Sequence, residues 1–306
     1  MKRLTGVVVP ILTPLSVSGD ALSLEGIAAL ADHLIVAGVS SLFVAGTTGE
    51  SALLTKDELV SLTTQTVDAT GKRVPVAVQV GANSTAETIA RAEAVVAAGA
   101  DCIVAVTPFY FGHSDEELFG HYQTLARALA DVPVYLYSIP SRTGNSISAA
   151  LAARLAAIKN IVGMKDSSGS LPQVLELLHT PLDVLIGNDL GGLLALRAGA
   201  VGMVSGPANV FPEPYVAMYK ALQRHDPETA LAMQDAIAVI SHHVRHGARM
   251  DILKGLANMR WGHMGSMRPP HHDLHQDTLK QLAAHLHEDL QETVLPERAY
   301  AWLEAS

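Results

Sequence analysis

A single cysteine, Cys102, stands among 306 residues, so no intramolecular disulfide can form and a reducing, cytoplasmic setting is expected. It lies inside the apolar run Cys102-Ile103-Val104-Ala105-Val106 and reads as core, not as a nucleophile. Basic charge is also scarce. Against 30 Asp and Glu there are 21 Lys and Arg, a formal net charge of −9 with no dense Lys/Arg run. Nucleic acid and anionic membranes are therefore not expected as partners. Uninterrupted apolar stretches of membrane-spanning length are missing. The opening Lys2-Arg3 and its apolar run imitate a signal peptide, but Gly6, Pro10 and Pro14 break the run and no small-residue cleavage site follows. That segment reads as a first strand. No Gly-x-Gly-x-x-Gly turn follows it, which weakens the case for an open, doubly wound nucleotide-binding sheet.

What is present is a large core, with 49% hydrophobic and 17% charged residues. Short β-branched runs at 6–9, 41–44, 74–80, 102–106, 134–137, 161–165, 183–186 and 201–204 read as strands. Ala/Leu-rich amphipathic stretches separate them, at 22–37, 56–70, 85–98, 115–130, 148–158, 171–178 and 191–198, with an eighth near 213–224. Thr55 with Glu58 and Ser114 with Glu117 have capping-box spacing, and Ser23 precedes a first-turn Glu25. Strands apolar throughout and joined by helices belong to a parallel sheet covered on both faces. Eight such units predict an α/β fold, a (β/α)8 TIM barrel over residues 1–224. After Arg224 only helical patterns remain, at 228–246, 251–261 and 278–290, so residues 225–306 are expected to form a helical region packed on the barrel.

Barrel enzymes carry their chemistry at the carboxyl ends of the strands. One of the chain's eight lysines, Lys165, closes the run Ile161-Val162-Gly163-Met164-Lys165 ahead of a Ser/Gly turn. Burying such an amine favours its neutral form, which can attack a carbonyl and form a Schiff base. The plain alternative is a lysine that reaches water or pairs with Asp166. The second strand runs into Gly46-Thr47-Thr48-Gly49-Glu50-Ser51, where glycines expose backbone N–H groups beside hydroxyls, a cradle for a small carboxylate. The fourth ends in Thr107-Pro108-Phe109-Tyr110. The fifth ends in Tyr137-Ser138-Ile139-Pro140-Ser141-Arg142-Thr143-Gly144.

These motifs, in this order and with Gly163-Met164-Lys165-Asp166, resemble the dihydrodipicolinate synthase / N-acetylneuraminate lyase family from Gly6 to about Asn209 and more loosely at Arg268-Pro269-Pro270. The resemblance implies a class I, pyruvate-dependent aldolase on a barrel with added carboxyl-terminal helices. It implies a covalent imine on Lys165, with no cofactor and no metal. Tyr137 matches the family's proton-relaying phenol, and Thr47 and Tyr110 match its relay partners, Tyr110 reaching in from a neighbouring subunit. Thr48, in the loop opened by Gly46, matches the residue that holds the pyruvate carboxylate. Arg142 matches the arginine that binds aspartate semialdehyde in the synthases, and Gly187 and Val204 match pocket-lining positions. A homo-oligomer, a dimer of dimers, follows from the role of Tyr110. The expected reaction is condensation of pyruvate with aspartate semialdehyde by a 4-hydroxy-tetrahydrodipicolinate synthase. The alternatives are N-acetylneuraminate lyase, a 2-keto-3-deoxy sugar-acid aldolase and 4-hydroxy-2-oxoglutarate aldolase.

Some positions depart from the family. Ser138 stands where Asn usually follows the tyrosine. Lys56, Leu59 and Phe109 replace two histidines and a tyrosine of the lysine-sensitive synthases, whereas Ser51, Ala52, Asn83 and Glu87 match that regulatory site. Weak or absent inhibition by lysine is expected. The histidines of 242–246 and 271–275 could suggest metal, but they fall beyond the strand ends and read as solvated faces.

Overall fold

The structure, a computed structural model, describes residues 2–304; Met1, Ala305 and Ser306, at the outer ends of the two expected segments, lie outside the described residues. The strands are β1 (Gly6–Pro10), β2 (Ser41–Val44), β3 (Val76–Gln79), β4 (Cys102–Val106), β5 (Val134–Ser138), β6 (Ile161–Asp166), β7 (Asp183–Ile186) and β8 (Gly202–Val204). Each pairs in parallel with the next, and β8 returns to β1 through Gly6–Gly202 and Val8–Val204, closing an eight-stranded barrel. Between and after them run α1 (Leu24–Ala37), α2 (Lys56–Thr70), α3 (Thr85–Ala97), α4 (Asp115–Ala128), the short α5 (Pro140–Thr143), α6 (Ala149–Leu155), α7 (Leu171–Leu177), α8 (Gly192–Ala198) and α9 (Pro212–Gln223). Three further helices complete the chain: α10 (Pro227–His243), α11 (Met250–Trp261) and α12 (Gln276–Gln291).

The two-residue period of a strand sorts the core into two shells. Val8, Phe43, Ala77, Val104, Tyr135, Tyr137, Leu185 and Val204 point inward and fill the barrel. Val7, Val9, Leu42, Val44, Val78, Ile103, Leu136 and Met164 point outward against the helices. Cys102 belongs to the inner shell, where burial pushes its thiol up to about 12, far from the thiolate a nucleophile needs. At the amino-terminal end the Tyr135 hydroxyl accepts from the Leu4 amide at 2.8 Å. Gly163 permits this crossing, since a Cβ there would fall 2.3 Å from the Tyr135 ring.

Local signals set most boundaries. Both capping boxes form, and Ser23 caps α1 through the Gly26 amide. Strand β3 begins at Val76, after Pro75, which has no N–H to donate. Helix α10 stops at His243, short of the expected 246, because Arg245 and His246 adopt positive φ and break the helical ladder. Buried ion pairs fasten the last helices to the barrel. Lys254 on α11 meets Glu50 at 2.9 Å with both side chains almost wholly enclosed, and Arg268 meets Glu58 at 2.7 Å. Arg260 pairs with Glu213, and the Trp261 indole donates to the Asn209 carbonyl at 2.9 Å while stacking on His33.

Candidate active site

Parallel pairing of β5 with β6 sets Tyr137 opposite Lys165, so their inward side chains lie side by side at the barrel mouth. Lys165 is 7% exposed, with Nζ 4.0 Å from the Tyr137 ring centroid and 5.2 Å from that of Phe43. Asp166, one residue on, faces the other way. Its carboxylate accepts from the Ser168 hydroxyl at 2.6 Å and the Gln173 amide at 2.9 Å, and so forms no ion pair with the amine. Gly187 makes room for the lysine stem: a Cβ there would stand 2.1 Å from Ser167 Oγ and 3.2 Å from Lys165 Cε.

The Tyr137 hydroxyl lies 3.2 Å from Thr47 Oγ1. Burial pulls the phenol upward, but the charge of Lys165 and hydrogen bonds from Thr47, Lys165 and Ser167 outweigh it, and the net value falls below that of an ordinary tyrosine. A phenol lowered in this way gives and takes protons more readily near neutral pH. Thr47 and Thr48 sit in a loop that turns on the Gly46 carbonyl, which accepts from Gly49 N at 3.0 Å and Ser51 N at 3.4 Å. The amides of Thr47 and Thr48 donate to nothing among the described residues. Two free N–H groups flanked by hydroxyls suit a carboxylate. Ala45 and Glu50, at φ 53° and 57°, bracket the loop in the left-handed region, a conformation costing roughly 1–2 kcal/mol per residue with a Cβ. The buried Lys254 pair holds Glu50 there.

A chamber of about 200 Å³ collects these groups. Thr47, Thr48, Tyr137, Arg142, Lys165, Gly187 and Val204 all line it, which is seven of the nine positions singled out in the sequence. Gly46 lies behind the wall as the hinge of its loop. Tyr110 does not join them. It stands 86% exposed after β4 at φ 79°, with the Phe111 ring edge-on to it at 5.0 Å. Arg142 lies in α5, a turn of helix where the sequence shows only a strand end, and its guanidinium has no partner among the described residues.

Three lining residues escape a reading of the sequence alone. Ser167 follows Lys165 in the turn and bonds Tyr137. Asp189 follows β7, is buried beside Ser205 and Tyr215, and has its carboxyl pushed up to about 6, chiefly by burial and against the pull of those hydroxyls and Lys165. The third is His246. Both His246 and His271 are exposed, as expected of solvated faces, yet each also borders a cavity. His246 lines the Lys165 chamber, and His271 lines an adjoining space of about 300 Å³ with Ser51, Phe109, Arg91 and Arg142. The reason is tertiary, since the segments around α11 fold back over the strand ends. Among the described residues no group of three or more His, Cys, Asp or Glu gathers in a way that could hold a metal.

In the region matching the regulatory site, Asn83 Oδ1 accepts from Phe109 N at 3.1 Å, Glu87 pairs with Arg91 at 2.8 Å, Leu59 is core and Lys56 opens α2 in solvent. An amine, a lowered phenol, a threonine hydroxyl, two free backbone amides and a free guanidinium thus meet at one mouth. The model of the Dihydrodipicolinate synthetase family matches residues 3–289.

The chain belongs to that family. It is a lyase of the class I aldolase type on the barrel fold of its relatives. It is 38% identical over 287 residues to an uncharacterized DapA-like lyase of Halobacterium salinarum, covering 92% of this chain and 93% of the relative. It is 36% identical over 230 residues to the 4-hydroxy-tetrahydrodipicolinate synthase of Methanospirillum hungatei, covering 74% and 78%. Among solved structures, the chloride-inhibited dihydrodipicolinate synthase of Acinetobacter baumannii complexed with pyruvate superposes with TM-score 0.86 at 29% identity, over 94% of this chain and 98% of that one. A monomeric dihydrodipicolinate synthase variant superposes with TM-score 0.87 at 27% identity, over 94% and 96%. No helix among the described residues is long and apolar enough to cross a membrane.

Proposed function

We propose that this chain condenses pyruvate with an aldehyde through an imine on Lys165, and that the aldehyde is aspartate semialdehyde, making it a 4-hydroxy-tetrahydrodipicolinate synthase. The observation that carries the reading is the Lys165 amine stacked at 4.0 Å on Tyr137, whose hydroxyl continues at 3.2 Å to Thr47 beside the free Thr47 and Thr48 amides.

The neutral amine attacks the keto carbon of pyruvate, whose carboxylate lies in the Thr47–Thr48 cradle. Tyr137, recharged through Thr47, protonates the departing hydroxyl, and water leaves as the imine forms. Loss of a methyl proton gives the enamine, whose carbon attacks the aldehyde carbon while the aldehyde oxygen takes a proton. The amino group of the semialdehyde part then attacks the imine carbon, closing the ring as the Lys165 amine leaves with a proton. Tyr110 completes the relay from a second copy of the chain, which accounts for a tyrosine held out in solvent at φ 79°. Arg142 takes the aldehyde's carboxylate through two parallel N–H bonds. No cofactor or metal enters any step.

Incubation with pyruvate and borohydride should add a reduced pyruvyl group to Lys165 alone, and Lys165→Ala should abolish it. Labelling at another lysine would sink the mechanism. Condensation would then be measured with aspartate semialdehyde, N-acetylmannosamine, a sugar-derived aldehyde and glyoxylate. Arg142→Ala should cut kcat/KM for the semialdehyde by about tenfold to a hundredfold, the loss of a charge-assisted pair. Preference for a neutral sugar aldehyde, with Arg142→Ala silent, would replace the synthase by a sugar-acid aldolase.

A further inference from the structure

Helix α10 ends in histidines, and the turn beyond it is unusual: Arg245, His246 and Gly247 take φ of 52°, 55° and 70° in succession. Two of these three left-handed residues carry a Cβ, a conformation that persists only where the surroundings impose it. Here they do. His246 Nδ1 lies 3.1 Å from the hydroxyl of Ser241, which is wholly buried within α10. Gly247 N donates to Val244 O, and Ala248 N to Arg245 O, each at 3.0 Å. The turn also abuts the loop after β8, where a Cβ on Gly247 would meet Pro207 at 3.2 Å.

Histidine, like asparagine and aspartate, is enriched among side chains that adopt this backbone. Here the exposed imidazole borders the chamber that holds Lys165 and Arg142. Nδ1 is taken up by the Ser241 hydroxyl, whereas Nε2 has no partner among the described residues. Arg142 reaches the same chamber from α5, equally unpartnered. Asp189 shares the chamber, but it is buried beside Ser205 and Tyr215 with its carboxyl raised to about 6. Of the other acids nearby, Glu50 is paired with Lys254 and Asp251 with Arg249. Two unpartnered nitrogen groups from separate parts of the chain describe a seat for an anion on the aldehyde side of the lysine.

We propose that His246 is a specificity-determining residue: its Nε2–H binds the carboxylate of the aldehyde substrate together with Arg142, so that the chamber selects acidic aldehydes over neutral ones. The inference rests on the pyruvate-aldolase reading above and extends it to a residue in the carboxyl-terminal region. His246→Asn tolerates the left-handed backbone but withdraws the donor, and His246→Gly removes the side chain with no demand on the backbone. Both would be assayed with aspartate semialdehyde, succinate semialdehyde and glyceraldehyde, alongside borohydride trapping of the pyruvate imine. Both variants should raise KM and lower kcat/KM for the two semialdehydes by about tenfold to a hundredfold. Glyceraldehyde turnover and imine trapping should stay at the parental level. Equal losses with all three aldehydes would reduce the turn to a structural element and overturn the proposal, as would no loss at all. Failure of the parent to form an imine would remove the aldolase reading instead, and it would show before any variant is made.

Discussion

Asp189 sits in the wall of the lysine chamber with its carboxyl at about 6 against an ordinary 3.8. The folded protein therefore binds this proton more tightly than the unfolded chain does. Below the ordinary value the preference is fully present, and it is lost as pH rises through about 6. The whole effect, about two pH units at 1.36 kcal/mol each, is roughly 3 kcal/mol. Between about pH 5 and about pH 8 the linkage relation leaves on the order of 1 kcal/mol of it to be lost. The group is only 8% exposed, so solvent screening takes little away. Lys165, Ser205 and Tyr215 face it, and their opposing pull is already contained in the net shift. Asp189→Asn keeps the shape and removes the titration. Urea unfolding of parent and variant across that range should show the parent losing on the order of 1 kcal/mol relative to the variant as pH rises. A flat difference, or one of opposite sign, would refute the burial argument and with it the picture of a neutral acid beside the lysine at mildly acid pH.

Other substitutions test other parts of the site. Tyr137→Phe should leave stability nearly unchanged and slow pyruvate imine formation by about a hundredfold to ten-thousandfold, read by rapid-quench borohydride trapping. Lys254→Met strands Glu50 without its partner and should cost about 3–5 kcal/mol in urea unfolding, most of it recovered in the Lys254→Met/Glu50→Gln double variant. Free lysine should not inhibit at sub-millimolar concentration, because Asn83 and Glu87 are already bonded to Phe109 and Arg91 and Lys56 adds a like charge; inhibition curves settle it. If Tyr110 completes the relay across an interface, Tyr110→Ala should lose activity while Lys165 remains chemically competent, and sedimentation should find an oligomer; an active monomer would exclude that role.

Much of this was legible in the chain because it is local. A strand buried on both faces announces itself by an unbroken apolar run, and Thr55 and Ser114 mark helix starts through contacts only three residues long. Register then did the rest. Once 134–137 and 161–165 are neighbouring parallel strands, Tyr137 falls near Lys165 at the mouth, and a register shift at Val134/Tyr135, invisible in the apolar runs, sets the two directly opposite. Arg142 was legible for its chemistry but not for its setting, because a four-residue helix opened by Pro140 has too short a pattern to stand out.

What stayed hidden depends on packing between distant segments. Asp189 is an ordinary acid in sequence. Only burial by distant segments lifts its carboxyl to about 6, against the lowering hydrogen bonds of Ser205 and Tyr215. His246 reads as the tail of a helix until Ser241, one turn back, holds its ring and the backbone inverts beneath it. The same contrast separates what the barrel contributes from what the added helices contribute. The strand ends supply the amine, the phenol and the threonine loop that the proposed mechanism assigns to pyruvate. The turn after α10 borders their chamber, and α11 anchors Glu50 from outside the barrel. On the proposed reading, substrate choice is written largely where helical periodicity says least, in a strained turn whose left-handed residues no local pattern predicts.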